Sequence, residues 1–233
     1  MFSPGDRPAL MRKAPATGAD TIVFDLEDAV APGRKAEARA AVRDVLSDPE
    51  FDPDAEVCVR VTGTETYRDL EVLVDEGDAA FDAVMFPKAE SADAVEHLGD
   101  QLREHDRRVP VIALIETARG VLHAEGIADA RPTDAVAFGA EDLSADLGAT
   151  RTNEGTEVLY AREKTVAAAA AAGVDAIDTV YTDFGDDAGL AEETRFAATL
   201  GYDGKMAIHP AQVPVINDAF TPAAERVEWA ERV

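Results

Sequence analysis

The feature that most constrains the fold is a series of short apolar runs separated by helical segments. The runs recur roughly every 25 to 40 residues, the length of one strand–helix unit. They are almost continuously apolar, as expected of parallel strands buried on both faces of a sheet. The predicted strands are TIVFDLE (21–27), EVCVRV (56–61), AVMFPK (83–88), VIALIE (111–116), AVAFG (135–139), DAIDTV (175–180) and GKMAIH (204–209).

This alternation predicts an α/β fold, a (β/α)8 TIM barrel. Helices are predicted over 32–48 and over 159–173, where Gly173 stands at the position of a helix C′ residue. An eighth strand would have to end near FSPG at the N-terminus, so it is very short or incomplete. An open doubly wound sheet is the alternative, but no GxGxxG follows the first strand. No linker divides the chain, and we expect a barrel domain over 1–221 followed by the start of a C-terminal helix over 222–233.

Charged or polar residues end six of the predicted strands. In a parallel barrel these ends face one mouth, where active sites of this fold lie. Any one of them can be read as an ion-paired loop residue, but together they predict a cation-assisted site for an anionic substrate. They are Asp25, Glu27 and Asp28, then Arg60, Lys88, Glu116, Glu141 with Asp142, and His209.

Glu116 and Asp142 are the best candidates for metal ligands. Each follows a buried strand, and the two are 26 residues apart, about one strand–helix unit, so they would occupy adjacent strand ends. Gly120 and Gly139 allow close approach of the backbone beside them. Two carboxylates suit Mg²⁺, which keeps several waters and needs few protein ligands. The four histidines show no spacing typical of a zinc site.

The composition is strongly acidic, with a net charge of −25. Nucleic acid would be repelled, so binding to it is not expected. The acidic residues are dispersed and only five of the 22 basic residues are lysine, which favours adaptation to high salt.

The single cysteine, Cys58, lies in an apolar run and is expected in the core. No apolar run approaches the roughly 20 residues of a membrane span, so we expect a cytoplasmic protein without membrane contact.

Several longer motifs together resemble the citrate lyase β-subunit-like branch of the HpcH/HpaI aldolase family. They are FSPGDRP (2–8), DTIVFDLEDAVAPGRKAEAR (20–39), VRV (59–61), MFPKAE (85–90), IETARGV (115–121), FGAEDLSADLG (138–148) and GKMAIHPAQVPVINDAFTP (204–222). The resemblance implies a barrel similar to those that bind phosphoenolpyruvate or pyruvate. It also implies a Mg²⁺-dependent lyase that splits a 3-hydroxy-acyl-CoA, such as malyl-, citramalyl- or citryl-CoA, into a 2-keto acid and acetyl-CoA.

The same resemblance implies roles for individual residues. It places the metal ligands at Glu116 and Asp142, and the arginine that binds the substrate carboxylate at Arg60. Glu27 and Asp28 would organise metal-bound water, contact the substrate or assist proton transfer. The phosphates of coenzyme A would be bound by Lys13, with Lys35 and Arg39 as weaker candidates. A homo-oligomer, trimer or hexamer, is also implied.

Two departures from the family pattern leave alternatives open. Thr62 follows VRV where relatives often have Asn, and the C-terminal lid that in relatives packs on a neighbouring subunit is expected to be missing. The general base is therefore Asp28, a metal-bound water or a group from a lid. The rival functions are a Schiff-base aldolase using Lys88, and a non-catalytic subunit that binds coenzyme A or an acyl carrier.

Overall fold

A computed structural model describes residues 1–77, 79–222, 224–230 and 232. Eight parallel strands follow one another around the sheet in chain order, which confirms the predicted barrel fold. The strands are β1 (Phe2–Pro4), β2 (Thr21–Asp25), β3 (Glu56–Arg60), β4 (Ala83–Phe86), β5 (Val111–Ile115), β6 (Thr133–Phe138), β7 (Asp175–Asp178) and β8 (Gly204–Lys205).

The two ends of the sheet meet through very short strands. The eighth strand anticipated at the N-terminus is β1, with three residues. At the other end β8 has only two residues, fewer than the six predicted over 204–209. Phe2 N donates a hydrogen bond of 2.9 Å to Ala207 O, just past β8, and so links the first strand to the last.

Helices follow the strands and surround the sheet. They are α1 (Pro8–Met11), α2 (Lys35–Leu46), α3 (Thr66–Leu70), α4 (Ala92–Glu104), α5 (Ala118–Leu122), α6 (Ala124–Ala128), α7 (Ala140–Leu147), α8 (Leu159–Ala172), α9 (Asp187–Leu200), α10 (Gln212–Phe220) and α11 (Ala224–Ala230), with 3-10 turns at Ala14–Thr17 and Pro32–Arg34 and a π-helical turn at Glu71–Asp75. Gly173 ends α8 with φ +75°, the left-handed conformation expected of a C′ glycine. Residues 223, 231 and 233 of the predicted C-terminal helix lie outside the described part of the chain.

Side chains alternate between the inside of the barrel and the surrounding helices. A small inner layer is formed by Val23, Cys58, Met85, Leu114, Ala137 and Met206. Cys58 is fully buried there, and burial raises the pKa of its thiol, so it is a core residue as predicted. Successive residues of a strand point to opposite faces, so residues two positions apart share a face. Asp25, Arg60 and Glu116 each come two positions after an inner residue and lie at the mouth. Those inner residues are Val23, Cys58 and Leu114, in the same order.

Among the described residues, no helix combines the length and the apolar character that crossing a membrane requires.

Candidate active site

Arg60 is held by a buried aspartate of the neighbouring strand. The parallel register pairs Asp25 of β2 with Arg60 of β3. Arg60 Nε donates to Asp25 Oδ1 at 2.7 Å and Nη2 donates to Oδ2 at 2.5 Å. Asp25 also accepts the backbone N–H groups of Glu27 and Ala29, and the ring of Phe2 lies 5.1 Å from the guanidinium carbon of Arg60. The planar fork of Arg60 is therefore engaged within the protein, and Nη1 remains to face the mouth.

Glu27 and Asp28 lie around this remaining nitrogen. Arg60 Nη1 is 3.3 Å from Glu27 Oε2 and 3.4 Å from Asp28 Oδ2. Burial raises the pKa of Asp28, and its hydrogen bond with the Glu27 carboxylate raises it further. Burial opposes ionisation of Glu27 as well, but hydrogen bonds with Asp28 and Lys88 outweigh it and lower the Glu27 pKa. Of the two adjacent carboxyl groups, Asp28 is the one that holds a proton more readily.

Lys88 connects Glu27, which lies beside Arg60, with Asp142 and Glu116. Its Nζ atom donates to Glu27 Oε1 at 2.7 Å and lies 3.0 Å from Asp142 Oδ2. The backbone N–H of the same residue donates to Glu116 Oε1 at 2.9 Å. Carboxylates that follow β2 and β5 and one in the first turn of α7 thus converge on one lysine.

Glu116 is the carboxylate that ends the apolar run VIALI. It is only 4% exposed, and burial raises its pKa to about 8, although the Lys88 charge and N–H group act in the opposite direction. The nearby Asp142 charge contributes to the increase. A carboxyl group with so high a pKa needs a compensating positive charge if it is to be ionised near neutral pH.

The residues present fit a magnesium ion. Glu116 and Asp142 offer hard oxygen donors, and Asp142 lies in the first turn of α7, where the helix dipole favours a negative charge. A Cβ atom on Gly139 would be 2.7 Å from Glu116 Oε2, so the glycine keeps that side of the carboxylate free. Within the described ranges no three His, Cys, Asp or Glu side chains form a closed metal cage. The site is an open two-carboxylate one, which suits Mg²⁺ better than zinc.

A second buried ion pair stabilises the loop that follows Arg60. Arg39 Nε donates to Asp69 Oδ1 at 2.6 Å, and Asp69 Oδ2 accepts both the N–H and the hydroxyl of Thr62. Thr62, the residue at which the sequence departs from the family pattern, is thereby a structural anchor for the β3–α3 loop. Arg39 also pairs with Glu65, which leaves its guanidinium committed to this loop.

The remaining predicted binding residues are more scattered. Lys35 Nζ donates to the carbonyl oxygens of Leu26 and Glu27, so it stabilises the chain just beyond β2. Lys13 is exposed between α1 and the turn at Ala14–Thr17, and the structure does not bring it into the ion-pair network of the mouth. Contacts of Lys13 and Lys35 with coenzyme A stay predictions.

Two other polar residues at the ends of strands have their contacts outside the Lys88 cluster. Glu141 pairs with Arg151 at 2.9 Å. The exposed ring of His209 stacks on Phe184 with 5.4 Å between ring centroids.

Sequence reasoning missed two parts of the arrangement. From the sequence, Asp25 is predicted as a strand-end residue but not as the partner of Arg60, although both end neighbouring strands. Lys88 is predicted as a possible nucleophile rather than as the cation between the carboxylates. Strand register is the signal that relates Asp25 to Arg60, while the position of the Lys88 ammonium follows from the left-handed backbone of Lys88 and from side-chain packing.

A cavity of about 330 Å³ lies at the opposite end of the barrel, around Thr21, Glu56, Ile112 and Asp175. These residues begin their strands or lie near the start. Chemistry in barrels of this type takes place at the carboxyl ends, so the mouth around Arg60 and Lys88 is the candidate site despite this cavity.

The chain is similar in sequence and in fold to known proteins. The model of the HpcH/HpaI aldolase/citrate lyase family matches residues 1–210. All of the chain aligns with human mitochondrial citramalyl-CoA lyase at 35% identity, covering 73% of that enzyme. It also aligns in full with L-malyl-CoA/beta-methylmalyl-CoA lyase of Cereibacter sphaeroides at 34% identity, covering 81% of it.

A crystal structure of the protein CitE from Mycobacterium tuberculosis, in complex with magnesium, acetoacetate and coenzyme A, has the same fold. The similarity covers 99% of this chain and 83% of that one, with a TM-score of 0.84 and 42% identity. With a family model that spans nine-tenths of its length and relatives this similar, the chain belongs to the HpcH/HpaI aldolase/citrate lyase family.

Proposed function

We propose that this chain is a Mg²⁺-dependent carbon–carbon lyase that cleaves a 3-hydroxy-acyl-CoA into a 2-keto acid and acetyl-CoA and catalyses the reverse condensation. The observation that carries this proposal is that Arg60 and the oxygen donors Glu116 and Asp142 share one mouth, connected through Glu27 and Lys88. Relatives named for citramalyl-CoA and malyl-CoA cleavage support the class of substrate.

Arg60 would bind the carboxylate of the keto-acid half through Nη1. Asp25 holds the rest of the guanidinium, so this nitrogen is oriented before the substrate arrives. The substrate carboxylate would replace the weaker contacts of Nη1 with Glu27 and Asp28, which are longer than 3.2 Å. Glu116 and Asp142 would hold Mg²⁺, which when bound supplies Lewis-acid stabilisation of negative charge on oxygen.

Asp28 is our candidate for the proton transfer. Its carboxylate would accept the proton of the 3-hydroxyl group while the carbon–carbon bond breaks. The bonding electrons then remain with the acetyl-CoA fragment, which takes up a proton, and the hydroxyl carbon becomes the carbonyl of the keto acid. A raised pKa suits this role, because a base that holds its proton more readily is the stronger acceptor.

The environment of Lys88 argues against the Schiff-base alternative. A Schiff base requires a neutral amine. Burial lowers the Lys88 pKa, but hydrogen bonds with Glu27 and Asp142 outweigh it and hold the pKa above its ordinary value. The side chain therefore carries an ammonium group.

The proposal extends to the state of the protein in the cell: a cytoplasmic homo-oligomer, trimer or hexamer, adapted to high salt. The free, buried thiol of Cys58 is compatible with a reducing compartment. Val227 and Trp229 of α11, 43% and 61% exposed, support burial against another subunit. Analytical ultracentrifugation at high KCl tests the oligomer, and a monomer at all concentrations would contradict it.

The function is tested by offering malyl-, citramalyl- and citryl-CoA separately, with Mg²⁺ or with EDTA, and measuring thioester loss and keto-acid release. We expect cleavage of at least one substrate, abolished by EDTA and restored by Mg²⁺. Cleavage that resists EDTA and is trapped by borohydride would instead support the Lys88 aldolase. Binding of Mg²⁺ and coenzyme A with no cleavage would support the non-catalytic subunit.

A further inference from the structure

Lys88 occupies an unusual position for a lysine at the mouth of the barrel. Its ammonium contacts Glu27 at 2.7 Å and Asp142 at 3.0 Å, and Asp28 lies 4.0 Å away. Asp142 is one of the two proposed magnesium ligands. A positive group of the protein and the proposed metal therefore use the same carboxylate.

The backbone of Lys88 is adapted to this position. Its φ of +49° lies in the left-handed region, which is strained for a residue other than glycine. In this conformation the N–H donates to Glu116 while the side chain reaches Glu27 and Asp142. Both polar ends of one residue thus contact carboxylates of the mouth.

The Lys88 side chain also has room to leave. It is 44% exposed and extends from the short β4–α4 connection, whereas the carboxylate of Glu116 is buried. A flexible four-carbon stem can swing toward solvent without displacing the backbone N–H from Glu116. The ammonium is therefore a tethered cation that can be exchanged for another.

We propose that Lys88 is a tethered counter-ion that competes with Mg²⁺ for Asp142 and so sets the magnesium affinity of the site. The inference rests on the proposed function, because it takes Glu116 and Asp142 as the magnesium ligands. Lys88 stabilises the carboxylates when the metal is removed, and it leaves Asp142 when the metal binds. The result is a weaker site in which Asp142 always has a positive charge beside it.

The test is titration of the whole chain with Mg²⁺ by calorimetry at constant KCl, starting from EDTA-treated, dialysed protein. Lys88→Met removes the ammonium and keeps an unbranched stem. We expect it to bind Mg²⁺ about tenfold more tightly than wild type, since one neighbouring charge shifts such equilibria by a factor of about ten or more. Lys164→Gln is the matched control, because it removes the same charge from a distant surface pair with Glu125. It should bind Mg²⁺ as wild type does.

Lys88→Gly is a second variant, suited to the left-handed backbone, and it should also tighten binding. A thermal melt gives an independent readout. In EDTA, Lys88→Met should melt below wild type, and Mg²⁺ should raise its melting temperature by more than it raises that of wild type.

Unchanged or weaker Mg²⁺ binding in both Lys88 variants would overturn the inference while leaving the proposed function intact. Equal tightening in Lys164→Gln would overturn it as well, since the effect would then come from net charge. If wild type and every variant fail to bind Mg²⁺, the proposed function itself fails and the inference fails with it.

Discussion

Glu116 illustrates how a single residue departs from the rule that carboxylates avoid the interior. It continues a strand of five apolar residues, and its only short hydrogen bond in the described contacts comes from the N–H of Lys88. Burying a carboxylate with so little compensation is costly, because the ionised form loses its hydration. The cost is explained if a divalent cation completes the site.

The first prediction concerns the two proposed metal ligands. Glu116→Gln and Asp142→Asn keep the shape of each side chain and remove one negative charge. We expect each to lower Mg²⁺-dependent turnover by at least about a hundredfold. Added Mg²⁺ should raise the melting temperature of wild type but not of the variants, because a ligand stabilises only the state that it binds. Thermal melts in EDTA and in Mg²⁺ measure this.

A purely structural ion pair predicts the reverse pattern. The variants would then lose stability, and wild type would not respond to Mg²⁺.

The second prediction concerns the pH dependence of the metal-free protein. The Glu116 pKa rises from 4.5 to about 8 on folding, so between these values the folded state holds a proton that the unfolded chain has released. Stability from this group is complete below pH 4.5 and is lost as the pH rises through 8. In EDTA, wild type should lose stability relative to Glu116→Gln by roughly 1.4 kcal/mol per pH unit within this window. Denaturant unfolding of both proteins at several pH values measures the difference, and a constant difference would contradict the assignment.

The third prediction concerns Arg60. Arg60→Lys keeps the positive charge but cannot make both hydrogen bonds to Asp25 while also presenting a nitrogen to the mouth. We expect keto-acid binding to weaken about tenfold or more, and stability to fall by about 1–3 kcal/mol because Asp25 loses a buried donor. Mg²⁺ binding should persist. Calorimetry with pyruvate and with Mg²⁺ separates these effects, and unchanged pyruvate affinity would show that Arg60 does not bind the carboxylate.

At the scale of elements, β8 is too short to be held by its ladder alone. It pairs with β7 at two positions only. Behind the two strands, Asp178 Oδ2 accepts from Lys205 Nζ at 2.7 Å, and both Asp178 oxygens accept from Arg162 of α8. Glu193 of α9 lies 3.5 Å from both cations. A buried ion network therefore connects β7 and β8 with the helices that cover them.

The fourth prediction follows from this network. Asp178→Asn leaves Arg162 and Lys205 buried without their main counter-ion, so we expect a loss of about 3–5 kcal/mol in the free energy of unfolding. Glu193→Gln is the matched control and should cost much less, because Glu193 is partly exposed and its contacts are longer. Urea unfolding of the three proteins tests this. Equal losses in the two variants would mean that the network does not depend on Asp178.

At the scale of the whole molecule, the net charge of −25 dominates. Self-repulsion of dispersed carboxylates destabilises the folded chain in dilute buffer and is screened as the Debye length shortens. The fifth prediction is that the melting temperature rises by several degrees or more between low and molar KCl, since about 1 kcal/mol shifts it by roughly 2–4 °C at this size. Scanning calorimetry across a KCl series measures the rise. A flat profile would contradict adaptation to high salt.

Most of the strands and the position of the mouth can be predicted from local sequence. The apolar runs and their spacing determine seven of the eight strands, because a strand buried on both faces must be almost entirely apolar. The polar residues at the ends of those runs identify the mouth, because parallel strands end on one side of the barrel. These polar strand ends identify Arg60, Glu116 and Asp142 as candidate active-site residues. Their roles in the site stay predictions.

What only the tertiary structure decides is which charges meet. The Asp25–Arg60 fork joins residues 35 positions apart, and the Lys88–Glu27 contact joins residues 61 positions apart. Strand register determines the first pair, and the left-handed backbone of Lys88 together with side-chain packing determines the second. Such contacts depend on distances of a few ångströms between segments far apart in sequence, and no local pattern encodes those distances.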